Sequence, residues 1–120
     1  QADSGVWYQV IDQPEREGNY LEASASGMFA AALAKSVAKG YVPRSYEEAV
    51  SKAVNGLVSV FVKKDEDGNL TLTGTCASGG LGVKDYRDGS FASYACEAAR
   101  DNDLKGLGVL MMAAAAVAGL

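Results

Sequence analysis

Residues 19–40 read NYLEASASGMFAAALAKSVAKG and predict a helix around which the rest of the chain folds. The alanine-rich body favours helix and lets a neighbouring helix approach closely. Asn19 is a good N-cap, Glu22 three residues later completes a capping-box pattern, and Gly40 is typical of the residue after a helix end. The apolar side chains at helical spacing, which we expect to be buried, are Leu21, Ala25, Met28, Phe29 and Ala32.

The first two turns of this helix are polar, although its body is apolar. Glu22, Ser24 and Ser26 precede the alanine-rich body. Two interpretations stay open: the three side chains cap the helix, or they line a polar cleft.

Further helices are predicted downstream. Ser45 followed by Glu48 repeats the capping-box pattern, and an apolar stripe follows it. Only residues 41–44 separate this helix from the first, so the two form an antiparallel hairpin. A short helix follows Asp88, and a last one runs from Asn102 or Asp103 to the end. The stripe of the second helix is Val50, Val54, Leu57 and Phe61.

Extended structure is confined to short stretches. Residues 70–75, LTLTGT, alternate as a strand does, and the preceding DEDGN at 65–69 is a turn signal. It is not a calcium loop, because Gly68 is fourth rather than sixth from Asp65. We therefore predict an all-α fold with a short β-like segment near 70–75.

Composition excludes several classes of function. The chain has 120 residues, 48% of them hydrophobic, which suits one packed unit. A formal charge of −4 without a clustered basic run argues against nucleic-acid binding. The absence of histidine excludes a Ser-His-Asp or Cys-His site within the chain. Two cysteines, Cys76 and Cys96, are too few for a zinc site, and buried free thiols are favoured over one bridge.

The chain ends suggest a piece of a longer protein. The sequence begins at Gln1 without methionine and ends inside the apolar run at 107–120. That run has 14 residues, fewer than the ~20 that cross a bilayer, so we expect a core helix and no membrane partner.

Residues 86–90, YRDGS, gather a phenol, a guanidinium, a carboxylate and a hydroxyl just before a predicted helix. Arg87 beside a helix N-terminus suits a carboxylate ligand. The alternative is structural, with Asp88 as N-cap and Arg87 in an ion pair. Similarly, Trp7 and Tyr8 either stack on a sugar or belong to the core. The glycines at 79, 80 and 82 match no nucleotide-binding pattern.

Taken in order, these segments resemble the C-terminal part of unsaturated rhamnogalacturonyl hydrolases, glycoside hydrolase family 105, relatives of family 88. The match spans essentially the whole chain, residues 1–120, as a single fragment. Its segments are WYQVID, EGNYLEASASGMF, a hairpin ending in KGYV, GTC-x-x-GGLG, YRDGS and NDLKGLG.

The resemblance implies an (α/α)6 barrel built from helical hairpins, of which this chain holds about the C-terminal third. It implies removal of a terminal 4,5-unsaturated uronic acid from pectin-derived oligosaccharides by hydration of the vinyl ether double bond. An Asp acts as general acid/base in the family, and no metal or organic cofactor is expected. Whether such an enzyme is cytoplasmic or periplasmic is left open.

One departure from the family limits what this chain can do. The family's catalytic Asp, with the histidines and tryptophans around the uronate, lies in the N-terminal and middle parts, so we expect no catalytic residue here and no activity from this fragment alone. The resemblance implies a cleft-lining, substrate-binding role for Glu22, Ser24, Tyr86, Arg87, Asp88 and Ser90.

Two rival hypotheses stay open. In the first, the chain is an inactive helical scaffold or interaction module whose exposed apolar helix faces allow self-association. In the second, an unrelated enzyme uses Glu22, Asp85 or Asp88 as a carboxylate pair.

Overall fold

A computed structural model describes residues 1–82 and 87–120, and Asp85 and Tyr86 lie outside the described residues. The described chain is mostly helical with a few short strands. The helices are α1 Ala23–Ala38, α2 Glu47–Gly56, α3 Phe91–Ala95 and α4 Leu104–Val117. The strands are β1 Val62–Lys64, β2 Leu70–Leu72, β3 Thr75–Cys76 and β4 Ala99–Arg100.

Helix α1 begins later than its sequence predicts. Its N-cap is Glu22 rather than Asn19, and its first residue is Ala23. The Asn19 side chain instead closes the preceding loop, with hydrogen bonds to both backbone groups of Val10 and to the Gln13 carbonyl. The predicted end is confirmed, because Gly40 follows the C-cap with φ of +70°.

The buried face of α1 is also different from the predicted one. Met28 and Phe29, expected inside, are 51% and 39% exposed. The interior takes the small residues instead, because α4 packs directly against the backbone of α1. At Gly27, an added Cβ would lie 2.7 Å from Val109 Cγ2. The buried residues of α1 are Ala23, Ser24, Ser26, Gly27, Ala30, Ala31, Ala34 and Val37.

The second helical region has three parts. A 3₁₀ turn, Arg44–Tyr46, leads into α2, and a π-helical segment, Leu57–Phe61, continues it. Ser45 therefore lies within the turn and does not cap the helix, which corrects the predicted start. Of its predicted stripe, Val54 is half-buried and the other three residues are buried, namely Val50, Leu57 and Phe61.

The strands form two small antiparallel pairs. β1 pairs with β2 in the register Val62↔Leu72, and the Asp65 carboxylate accepts hydrogen bonds from Asn69 in the turn between them. β3 pairs with β4 in the register Thr75↔Arg100. Strands of two or three residues carry little periodicity of their own, so β1 and β4 were not predicted.

The core lies between α1 and the elements packed on it. Helix α1 packs most extensively against α4 and next against α2. Within the described part of the chain, no helix combines the length and apolarity required to cross a membrane. The main core cluster comprises Val6, Ala23, Ala30, Ala31, Ala53, Leu57, Phe61, Leu72 and Ala113.

Candidate functional site

The Glu22 carboxylate is buried at the start of α1, with the residue only 2% exposed. Its Oε1 accepts hydrogen bonds from the Ser24 amide at 3.1 Å and the Ser24 hydroxyl at 2.8 Å. The same oxygen accepts from the Cys76 amide of β3 at 2.9 Å, and Oε2 accepts from the Ala25 amide. One side chain therefore caps α1 and ties it to a strand 54 positions away.

The two serines at the head of α1 also have partners within the chain. The Ser24 hydroxyl donates to Glu22, and the residue is 8% exposed. Ser26 is fully buried, and its hydroxyl oxygen accepts from the Trp7 amide at 2.9 Å. These polar residues thus satisfy backbone groups where the N-terminal segment and β3 meet the helix.

Arg87 forms a buried ion pair with Glu97. Its Nε and Nη2 lie 2.8 Å and 2.7 Å from the same carboxylate oxygen, Oε1, and both side chains are less than 10% exposed. Nη2 also donates to the Ser78 carbonyl at 3.4 Å. An added Cβ at Gly80 would lie 3.2 Å from Nη1, so the glycine loop packs against the guanidinium. This is the structural ion pair that one interpretation of the sequence predicts.

Tyr20 lies near Cys76, Glu22 and Glu97. Its hydroxyl donates to the Glu97 carbonyl at 3.2 Å. Burial raises the pKa of the Tyr20 phenol, and the nearby Cys76, Glu22 and Glu97 raise it further, so the phenol stays a proton donor at neutral pH. We call Tyr20, Glu22, Cys76, Arg87 and Glu97 the polar cluster.

Asp88 and Ser90 lie at the surface, at the start of α3. The Ser90 hydroxyl oxygen accepts from the Ser93 amide at 3.2 Å, so Ser90 rather than Asp88 is the N-cap. The Asp88 carboxylate accepts from the Ser90 amide at 2.9 Å. Hydrogen bonding from the Ser90 side chain, and next from its amide, holds the pKa of Asp88 below its ordinary value.

The predicted site residues therefore divide into two groups. Glu22, Ser24 and Arg87 are buried and bonded within the chain, whereas Asp88 and Ser90 are exposed. Because both oxygens of Glu22 accept hydrogen bonds from its own chain, the hypothesis that Glu22 is half of a catalytic carboxylate pair loses support. A role in lining a cleft stays a prediction for all six residues.

Sequence reasoning missed three members of the polar cluster, namely Tyr20, Cys76 and Glu97. Their partners are distant in sequence, and no local pattern marks them. Cys76 is a buried free thiol, as predicted, and Gln9 Nε2 donates to its sulfur at 3.5 Å. Cys96 is also free but exposed, so its predicted burial is wrong. In the described part of the chain, His, Cys, Asp and Glu side chains form no group of three or more that could hold a metal ion.

Comparison with known proteins places this chain among glycoside hydrolases. The model of Glycosyl Hydrolase Family 88 matches residues 1–119. The chain is 39% identical to Protein Atu3128 of Agrobacterium fabrum, over 94% of this chain and 51% of that protein. It thus spans about half the length of the curated relatives it matches.

Solved structures agree with the family model. A family 105 glycoside hydrolase of C. acetobutylicum ATCC 824 matches with a TM-score of 0.92 and 47% identity, over 98% of this chain and 33% of that chain. A possible family 105 member from Klebsiella pneumoniae matches with a TM-score of 0.73 and 26% identity, over 100% of this chain and 28% of that chain. The chain therefore belongs to Glycosyl Hydrolase Family 88 and is related to the glycoside hydrolases of family 105.

Proposed function

We propose that this chain is the C-terminal third of an (α/α)6-barrel enzyme that removes terminal 4,5-unsaturated uronic acid from rhamnogalacturonan oligosaccharides. In the proposed reaction, water adds across the vinyl ether double bond and the resulting hemiketal opens, releasing the rest of the oligosaccharide. The observation that carries the proposal is the likeness to a family 105 structure, 47% identical over 98% of this chain.

In this proposal the chain binds substrate but supplies no general acid/base. Asp88 and Ser90, exposed at the start of α3, are the side chains best placed to face an oligosaccharide. The buried Glu22, Ser24 and Arg87 keep their proposed cleft-lining role, and so does Tyr86. The polar cluster supports this division, because its hydrogen bonds join the start of α1 to β3, and join Tyr20 and Arg87 to Glu97 between α3 and β4.

A chimera tests the activity. In the C. acetobutylicum family 105 chain, this chain replaces the matched third, and turnover of an unsaturated rhamnogalacturonan disaccharide is followed as loss of ultraviolet absorbance. We expect turnover by the chimera and none by this chain alone. Turnover by this chain alone would overturn its expected inactivity, and a folded chimera without turnover would overturn the proposed activity.

The inactive helical scaffold is the second candidate, and exposed apolar residues favour it. Met111 and Met112 of α4 are 71% and 51% exposed. A scaffold of this kind would leave the chimera folded but inactive, and light scattering would show the isolated chain associating with itself.

A further inference from the structure

A glycine-rich segment joins β3 to α3, and the structure describes its two arms, residues 77–82 and 87–90. Glycine has the widest choice of backbone conformations, so such a segment keeps one conformation only where other contacts hold it. The glycines of the two arms are Gly79, Gly80, Gly82 and Gly89.

Arg87 holds the two arms of this segment together. Its carbonyl accepts a hydrogen bond from the Gly82 amide at 2.8 Å. Its Nη2 donates to the Ser78 carbonyl at 3.4 Å, and an added Cβ at Gly80 would lie 3.2 Å from Nη1. Both the backbone and the side chain of Arg87 thus contact the arm that leaves β3.

Glu97 fixes the guanidinium from the other side. Nε and Nη2 of Arg87 lie 2.8 Å and 2.7 Å from Glu97 Oε1, and the two side chains are only 9% and 8% exposed. Bonding through two nitrogens of a planar guanidinium restricts its rotation. The Tyr20 hydroxyl in turn donates to the Glu97 carbonyl at 3.2 Å. A series of contacts therefore runs from Tyr20 through Glu97 and Arg87 to the glycine-rich segment.

The segment ends in the two exposed residues that the proposed function turns toward the oligosaccharide. Asp88 directly follows Arg87, and its carboxylate accepts from the Ser90 amide at 2.9 Å. The Ser90 hydroxyl oxygen caps α3 through the Ser93 amide. A change in the position of Arg87 would therefore move Asp88 and Ser90, and small displacements of binding groups weaken their contacts with a ligand.

We propose that Glu97 and Tyr20 are positioning residues, which act through Arg87 to hold Asp88 and Ser90 where the oligosaccharide binds. This inference rests on the proposed function, because Asp88 and Ser90 bind an oligosaccharide only in that proposal. Neither Glu97 nor Tyr20 belongs to the site predicted from the sequence.

Kinetics of the chimera with the C. acetobutylicum enzyme provide the first test. Glu97→Gln keeps the shape of the side chain and removes its charge, and Tyr20→Phe removes only the hydroxyl. We expect KM for the unsaturated disaccharide to rise by about tenfold for Glu97→Gln and about threefold for Tyr20→Phe, with kcat nearly unchanged. A merely structural role would instead reduce the amount of folded enzyme, which lowers the apparent kcat and leaves KM unchanged.

Two surface variants serve as matched controls. Glu47→Gln removes the same charge from the Arg44–Glu47 pair, in which the Glu47 side chain is 38% exposed. Tyr41→Phe removes a hydroxyl from a residue that is 75% exposed. We expect both controls to keep the KM and kcat of the unchanged chimera.

Hydrogen exchange in this chain is the second test and needs no activity. In Glu97→Gln, we expect the Gly82 and Ser90 amides to exchange about tenfold faster, while the amide of Ala34, buried in α1, keeps its rate. If Glu97→Gln does not fold, Tyr20→Phe carries both tests, because it leaves the Arg87–Glu97 pair in place.

The two proposals fail separately. Absence of turnover in the unchanged chimera overturns the proposed function, and faster exchange at Gly82 and Ser90 would still show that Glu97 and Tyr20 position the segment. Three results overturn the positioning role: unchanged exchange at Gly82 and Ser90, equally faster exchange at Ala34, or a lowered kcat with an unchanged KM.

Discussion

The start of α1 and the exposed side of α4 differ in how the polarity of a residue relates to its burial. Glu22 and Ser26 of the first region are polar, yet they are 2% and 0% exposed. Leu104 and Met111 of the second are apolar, yet they are 82% and 71% exposed. The first region is stable inside because the Glu22 carboxylate and the Ser26 hydroxyl both have hydrogen-bond partners. The second is exposed because no element of the described chain covers it. Burial thus depends on available partners and not on residue type alone.

The largest effect is expected from breaking the buried ion pair. Arg87→Ala leaves the Glu97 carboxylate buried without its cation, which lowers the free energy of unfolding by about 3–5 kcal/mol. The control is Arg44→Ala, because the Arg44–Glu47 pair lies at the surface with the Arg44 side chain 79% exposed. Its effect is expected to be below about 1 kcal/mol. Urea unfolding compares the two, and equal effects would contradict a structural role for the buried pair.

The next effect concerns the cap of α1. Glu22→Ala removes the acceptor for the Ala25 and Cys76 amides and lowers the free energy of unfolding by about 3 kcal/mol. Glu17→Ala, at an exposed residue five positions before Glu22, serves as the control. Denaturant titration measures both, and a Glu22→Ala chain as stable as the control would show that the buried carboxylate is dispensable.

Replacing glycine by alanine is expected to have opposite effects on stability at Gly27 and at Gly108. Gly27→Ala pushes a methyl group against Val109, so we expect destabilisation by about 1–2 kcal/mol. Gly108→Ala adds a methyl group in open space and improves helix propensity, so we expect stabilisation by about 0.5–1 kcal/mol. Thermal unfolding of the two single variants measures both changes in stability. Stabilisation by Gly27→Ala would contradict the close contact of α1 with α4 at Gly27, and destabilisation by Gly108→Ala would contradict the open space at Gly108.

The smallest effect is a pH dependence at the start of α4. Asp103 caps this helix, and hydrogen bonding from Lys105 holds the pKa of its carboxyl below the ordinary value of 3.8. Because this pKa is lowered on folding, the ionised Asp103 stabilises the fold above pH 3.8. The stabilisation is lost as the pH falls through the pKa of the folded state. Asp103→Asn keeps a cap but cannot titrate. The difference in melting temperature between the two chains should therefore shrink as the pH falls from about 7 to about 3, and a constant difference would contradict this.

Local patterns were most reliable at helix ends that depend on neighbouring residues. Gly40 after α1 was predicted correctly, and the N-cap of α4 is Asp103, one of the two residues predicted for that start, because such residues act within one turn. Asn19 failed as a cap because the Val10 and Gln13 backbone groups compete for its side chain. For the candidate site, the sequence indicated Arg87 and Glu22 but not Glu97, which meets Arg87 only through the fold.

The sequence by itself determined that this chain is helical, that it resembles family 105, and that chemistry requiring histidine is excluded from it. Only the tertiary structure decided which side of α1 is buried, that Glu22 joins α1 to β3, and that the Tyr20 hydroxyl reaches the Glu97 carbonyl. The physical reason is the distance along the sequence over which each kind of interaction acts. Capping and helix propensity act over three or four residues, whereas the choice of a buried face and of a hydrogen-bond partner depends on segments up to 77 positions apart, as between Tyr20 and Glu97.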